Sequence, residues 1–387
     1  MNTNTNKKIA ILMDWYLPGT KAGGPVRSIQ SLSEVLKDKF EICIFTSNKD
    51  LGSDVEYKNI KTDQFIEAGN IKYYYFSPEK MNMSNIIAQI QLYKPDCVYL
   101  NSFWSYLFSI GIIKAKNKNE INCPIILAPR GMLSPGALHL KAIKKYIFLL
   151  VAKISNLYRN ITFHASNKLE ERFVKKQFPK AKVNIISNIN AGLPNSNIRI
   201  KNVHELKLFY LSRIDRVKNL HFALEILAKI PSKYQIVYDI YGNMENESYW
   251  NECFDLIQKL PNNIKVKYKK QLAFDEVQST ISNYHALFLP TLNENFGHSI
   301  VESLMSGCAV ICSDQTPWTD MNEKACGFAF PLTQKQYFID AIRTLAEEDQ
   351  HKFNQRSKQA INYISGKMKV EETIQQYINM FNGSIKN

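Results

Sequence analysis

Two carboxylates, Glu294 and Glu302, bracket an Asn-Phe-Gly turn in the stretch LPTLNENFGHSIVESLMSGCAVICSD (289–314), with seven residues between them. An apolar run, HALFLPT (285–291), precedes the first, and GHSIVESLMSG reads as a helix that starts at Gly297 and stops at Gly307. A helix start offers backbone N–H groups to an anion, so Gly297, His298 and Ser299 form a candidate diphosphate cradle. Glu302, further along the helix, can accept two hydrogen bonds from a vicinal diol such as a ribose. Glu294, before the turn, can reach a sugar hydroxyl. Diphosphate, ribose and sugar together describe a nucleotide sugar. A loop acid and a solvated helix acid are the plain alternative.

Two further stretches suit phosphate. In LSRIDRVKNL (211–220), Arg213 and Lys218 fall at a strand end and just before a helix. One offers a bidentate fork and the other a point charge, and together they can neutralise a leaving diphosphate. In LPGTKAGGPVRSI (17–29), Gly23 and Gly24 let backbone approach a ligand, and Pro25 suits a helix start. This stretch matches neither GxxxxGK[ST] nor GxGxxG, which argues against an NTPase and a dinucleotide enzyme.

The elements that must hold these residues come in two series. Strands are expected at 8–14, 40–47, 71–77, 96–102, 124–130, 161–166 and 182–188, with helical stretches between most of them. A polar gap, NINAGLPNSNIRIKN (188–202), reads as a linker. Strands resume at 206–212, 234–242, 263–269, 285–291 and 309–314, and 333–381 is mostly helical in pattern. Short apolar strands between helices give parallel sheets covered on both faces, so the chain reads as two doubly wound α/β domains facing across a cleft. Ligands of such sheets bind beyond the C-terminal strand ends.

Bulk composition fits this. The 387 residues suit two domains, and 45% hydrophobic with 22% charged residues are ordinary for a globular protein. No apolar run reaches the roughly 18 residues of a membrane span, and the polar start MNTNTNKK does not read as a signal peptide. The odd number of cysteines, seven, with no CxxC pair, reads as reduced buried thiols of a cytoplasmic protein. No His/Cys/carboxylate spacing suggests a metal. The net charge of +14 is concentrated in the first half: residues 101–200 hold 16 basic and 3 acidic side chains. An anionic partner is expected there. Nucleic acid is disfavoured because no recognition-module signature appears.

SRIDRVK, NENFGHSIVE and GGPVRS resemble family-4 glycosyltransferases, retaining enzymes of the GT-B fold. RGMLSPGAL (130–138) and SDQTPW (313–318) are similar to the subgroup found in bacterial polysaccharide clusters. The resemblance runs from residue 8 to about 380. It implies a Rossmann-like acceptor-side domain at 1–195, a nucleotide-sugar-binding domain at 196–368, and a last helix at about 369–387 packing back on the first. It further implies that Glu302 holds the donor ribose and Glu294 the transferred sugar. The Phe296 and Gly297 amides would face sugar and phosphate, and Arg213 and Lys218 would bind the diphosphate with the Gly23–Gly24 loop. The partners implied are a nucleotide-sugar donor and a saccharide acceptor, in lipid-linked form by the subgroup resemblance; no cofactor or metal is expected. The chain departs from many relatives at Gly136, where they carry tryptophan, and at SNIN (187–190), where they carry Pro-Asn-Gly. Both departures bear on the acceptor.

The resemblance, together with the lack of an evident Ser-His-Asp set or paired carboxylates for double displacement, implies transfer of sugar with retention on one face. On the acceptor side, Arg130 is expected to end a strand and meet an acceptor phosphate or the donor, or else to be structural. His164 reads equally as a core or a catalytic histidine, and Ser134 is a further candidate. His298 suits a phosphate or solvent. The segment LHLKAIKKYIFLLVAKISNLYR (138–159) mixes lysines with apolar residues; it suits an anionic membrane surface, or core with a solvated lysine face. A nucleotide-sugar epimerase, a sugar phosphorylase, a nucleic-acid binder and an inactive scaffold remain as rivals. The base is open, with contacts expected near Lys270–Leu272.

Overall fold

The computed structural model describes residues 7–139, 142–189 and 199–385. The polar start, the expected domain boundary at 195/196, most of the linker and Leu140–Lys141 lie outside the described residues. The chain divides into two compact units, Met1–Ala191 with Val370–Asn387, and Gly192–Lys369.

In the first unit the strands are β1 (Lys8–Leu12), β2 (Glu41–Ser47), β3 (Phe65–Ala68), β4 (Ile71–Phe76), β5 (Cys97–Leu100), β6 (Ile125–Leu127), β7 (Ile161–Ala165) and β8 (Lys182–Ile185). They form one sheet in the order β3-β4-β2-β1-β5-β6-β7-β8. All pairings are parallel except β3–β4. Apart from Lys8 at the start of β1, the central strands are apolar and buried, as a sheet covered on both faces requires. The last helix, Val370–Ile385, packs on this unit: Phe381 meets Phe40 and Tyr99, with ring centroids 5.6 and 5.7 Å apart.

The second unit holds β9 (Glu205–Leu211), β10 (Gln235–Tyr241), β11 (Ile264–Tyr268), β12 (Ala286–Leu289), β13 (Ala309–Ser313) and β14 (Gly327–Phe330). They pair in parallel in the order β11-β10-β9-β12-β13-β14. The order reverses between β9 and β12, and in the first sheet between β1 and β5. Chain leaving the C-terminal ends of two such strands diverges to opposite sides and leaves room for a ligand. The ends of β9 and β10 approach closely because Gly242 has no side chain: a Cβ there would lie 1.8 Å from the Ser212 carbonyl oxygen.

Two edge strands escape the sequence reading. β3 and β4 are joined by the two-residue turn Gly69–Asn70, with Gly69 at φ 61°. β14 is the short run GFAF, pressed so close to β13 that a Cβ on Gly327 would lie 2.6 Å from the Val310 oxygen. A correction also applies to β6. It stops at Leu127, so Arg130 does not end a strand but sits in the left-handed region at φ 55°.

Candidate functional site

The loop after β9 and the loop after β12 are stitched together. The Leu292 amide donates to the Val217 carbonyl at 2.7 Å, and the buried Asn219 side chain donates to the Pro290 carbonyl at 2.9 Å. Asp215 caps the short 3-10 turn Arg216–Lys218 by accepting from the Lys218 amide at 2.9 Å. These contacts leave the Lys218 ammonium 2.6 Å from the Glu294 carboxylate, with little of either side chain exposed.

Arg213 stands beside this pair. Its guanidinium is gripped by both Glu245 oxygens at 2.9 Å and lies 3.4 Å from Asp215. Burial acts to lower its pKa, but Asp215, Glu245 and Glu294 outweigh that and hold it above its ordinary value. Two cations and Glu294 thus gather at the strand ends where the sheet order reverses.

The helix His298–Met305 begins directly after this loop, with Gly297 as its N-cap at φ 80°. A Cβ on Gly297 would lie 3.2 Å from Glu294 Cγ and 3.0 Å from Ile300 Cδ1, so glycine lets the turn fold back on the acid. The buried Phe296 packs edge-on against His298 and Trp318, and the Trp318 indole donates to the Phe296 carbonyl at 2.5 Å. The turn is therefore braced from behind while its amides begin the helix. Ser299 and Glu302 are half-buried on that helix. Of the residues expected in this unit, Lys218, Glu294 and Arg213 converge, and Phe296, Gly297, His298 and Ser299 form the adjoining helix start. Asp215, Glu245 and Trp318 had no role in the sequence reading. Asp215 and Trp318 lie inside quoted motifs, whereas Glu245 carries no local signal.

In the first unit Arg130 is held by the side chains around it, Tyr377 among them. It donates to Asn101 at 2.6 Å, to Tyr99 at 3.1 Å and to Asn188. Tyr99 lies 2.7 Å from His164 Nδ1, and His164 Nε2 lies 2.8 Å from the Ile186 carbonyl. A carbonyl only accepts, so Nε2 carries the proton and Nδ1 accepts from Tyr99. Burial, with help from Arg130, pulls His164 down to about 3. It is 1% exposed and neutral, a tautomer-locked core histidine that orders Tyr99 and hence Arg130. Ser134 is buried as well.

Gly23 caps the helix Gly24–Leu36 at φ 64°, with nothing within 4 Å of a Cβ placed on it. Two side chains near these strand ends went unread. Asp14, just after β1, is pushed up by burial against a 2.7 Å hydrogen bond from Ser105. Arg27, in the first turn of the helix, is pulled down by burial to about 10.

Seven free cysteines are present, and among the described residues no three His, Cys, Asp or Glu side chains converge as metal ligands. No described helix is long and apolar enough to cross a membrane.

Residues 195–363 match the family model described as glycosyl transferases group 1, which covers Arg213, Lys218, Glu294 and Glu302. No curated protein matches. The chain is similar to HepE from Anabaena, solved with UDP and glucose, at 15% identity over 97% of this chain and 100% of that one, TM-score 0.70. It is similar to sucrose-phosphate synthase from Thermosynechococcus elongatus at 15% identity, over 97% and 98%, TM-score 0.71. It is also similar to WaaG, a glycosyltransferase involved in lipopolysaccharide biosynthesis, at 11% identity, over 97% and 100%, TM-score 0.67. The fold is accordingly the α/β GT-B class, built from two Rossmann-like units.

Proposed function

We propose that the group 1 glycosyltransferase domain matched over residues 195–363 binds a nucleotide-sugar donor, and that the chain moves its sugar to a saccharide acceptor with retention of configuration. The observation that carries this reading is the convergence of Lys218, Arg213 and Glu294 at the order-reversing strand ends, beside the helix that starts at His298. HepE has been solved with UDP-glucose, which supports a donor of the nucleoside-diphosphate class.

In this reading the diphosphate lies against the amides at the start of the helix and draws Lys218 and Arg213. As the glycosidic C–O bond to phosphate breaks, negative charge develops on the leaving oxygen, and the two cations stabilise it. The acceptor hydroxyl attacks on the same face of the sugar and gives its proton to that departing phosphate oxygen. Glu294 positions the sugar and Glu302 the ribose. No protein nucleophile or resident metal is invoked. The acceptor is proposed to be a lipid-linked oligosaccharide, with the reaction on the cytoplasmic side of a bacterial membrane during surface polysaccharide synthesis.

Calorimetric titration with UDP, GDP, ADP, CMP and dTDP tests donor binding. One should bind in the micromolar range, and Glu302→Ala should weaken that same nucleotide. Binding of none would overturn the reading. NMR of the product should show the anomeric configuration of the donor; an inverted product refutes the retaining step. Incubating the donor without acceptor should yield no epimer, which separates a transferase from an epimerase.

A further inference from the structure

We propose that the outward face of the helix Ala142–Ile154 seats this chain on an anionic lipid surface. The sequence left two roles open for its apolar residues, and the structure separates them by face. Leu149 and Ala152 are buried, and Phe148 packs edge-on against Trp104 and Phe103. Successive helical residues turn by about 100°, so these side chains share one side. On the opposite side stand Ile143, Tyr146, Ile147, Leu150, Val151 and Ile154, each more than half exposed, with Ile143 at 77% and Ile154 at 78%. The helix therefore has two apolar faces, and only one is used by the fold. Exposed large apolar residues scattered singly need no explanation, but six on one face of one helix form a patch that marks an interaction surface.

The charges around the patch decide what covers it. Lys144 and Lys153 are exposed on opposite flanks of the apolar stripe. Lys145 leans the other way, over the Trp104 ring and onto the Ala137 carbonyl. Between Glu120 and Glu170 the sequence has no acidic residue at all. A second copy of the chain docking through this face would meet the same patch, because a two-fold interface is self-complementary. Lysines would then face lysines with no carboxylate to pair them. A bilayer has no such conflict. Its acyl boundary takes the isoleucines and leucine, Tyr146 suits the headgroup level, and anionic headgroups pair with Lys144 and Lys153. The helix would lie in the plane of the interface, held by its other apolar face to the protein.

The surface is argued without the donor site, and its test leaves that site untouched. Full-length protein is floated with vesicles of phosphatidylcholine, and with vesicles of equimolar phosphatidylcholine and phosphatidylglycerol. The anionic vesicles are expected to bind at least about tenfold more strongly, given the contribution of each lysine near such a surface. The variant I147S/L150S/I154S should lose binding to both, and K144E/K153E should lose the preference for anionic lipid. These side chains are exposed, so both variants should keep the parent's unfolding midpoint and nucleotide affinity. Three results would overturn the proposal: no binding to either vesicle, undiminished binding by the serine variant, or a concentration-dependent dimer that the serine variant abolishes. Loss of nucleotide binding in the parent chain would instead count against the glycosyltransferase reading alone.

Discussion

The ammonium of Lys218 and the carboxylate of Glu294 meet at 2.6 Å, from two loops that leave the sheet at β9 and β12, the strands between which its order reverses. Each charge is largely shielded from solvent by the loops that carry it, and the pair is closed by backbone contacts between those loops. In the proposed reading a donor phosphate entering here would compete with Glu294 for Lys218, and the pair would hold the cation in place until then.

That relationship predicts non-additive loss. Lys218→Met and Glu294→Gln should each lower kcat/KM by about 10²–10³, the scale for removing one group that stabilises developing charge. If the pair works as a unit, the double variant should be little worse than the weaker single variant. Steady-state kinetics with the best-binding donor settles this; multiplied losses in the double variant would show that the two act independently.

Gly297 carries a second prediction. Alanine there must adopt φ 80° and place its Cβ between Ile300 and Glu294. Gly297→Ala should cost about 1–2 kcal/mol of stability in urea unfolding. Because the displaced neighbour is Glu294, donor turnover should fall as well. A variant as stable and as active as the parent would mean that the turn relaxes freely.

The grouping of the candidate site's residues was legible in the sequence because its parts lie at strand ends. Arg213, Lys218, Glu294 and Gly297 each follow an apolar run or open a helical one, and local pattern fixes both. Glu245, which grips Arg213, was not legible: it is 32 positions away and joins the site only through the pairing of β9 with β10. The same limit applies to His164. Its partners, Tyr99 on β5 and the Ile186 carbonyl just after β8, are distant in sequence, so only the fold shows that both ring nitrogens are occupied. β3 and β14 were missed because edge strands are short and need only one partner, which leaves little apolar pattern to read.

Acid should destabilise both units through one histidine each. Burial holds folded His164 at about 3 and His285 at about 4, against 6.5 in the unfolded chain. Between those values the unfolded chain binds a proton that the folded one refuses. The stability is therefore whole above pH 6.5 and is lost as pH falls towards the folded pKa, by about 1.4 kcal/mol per pH unit for each histidine. Urea unfolding at a series of pH values should show this slope, and His164→Gln should flatten it in the first unit only. An unchanged slope in that variant would place the acid sensitivity elsewhere.

The last helix gives the final prediction. Val370–Ile385 follows the second unit in sequence but packs on the first, where Phe381 is 1% exposed between Phe40 and Tyr99. Tyr377 stacks along Phe381 and meets the His164 ring edge-on at 5.2 Å. Phe381→Ala would empty this contact, and a large-to-small change at a buried aromatic costs about 3–5 kcal/mol. The loss should fall on one unit. Urea unfolding should resolve two transitions, the one belonging to Met1–Ala191 moving to lower urea and the other staying in place. Nucleotide binding, proposed for the second unit, should persist at urea concentrations where the first has unfolded. Equal shifts of both transitions would show that the helix stabilises the two units jointly.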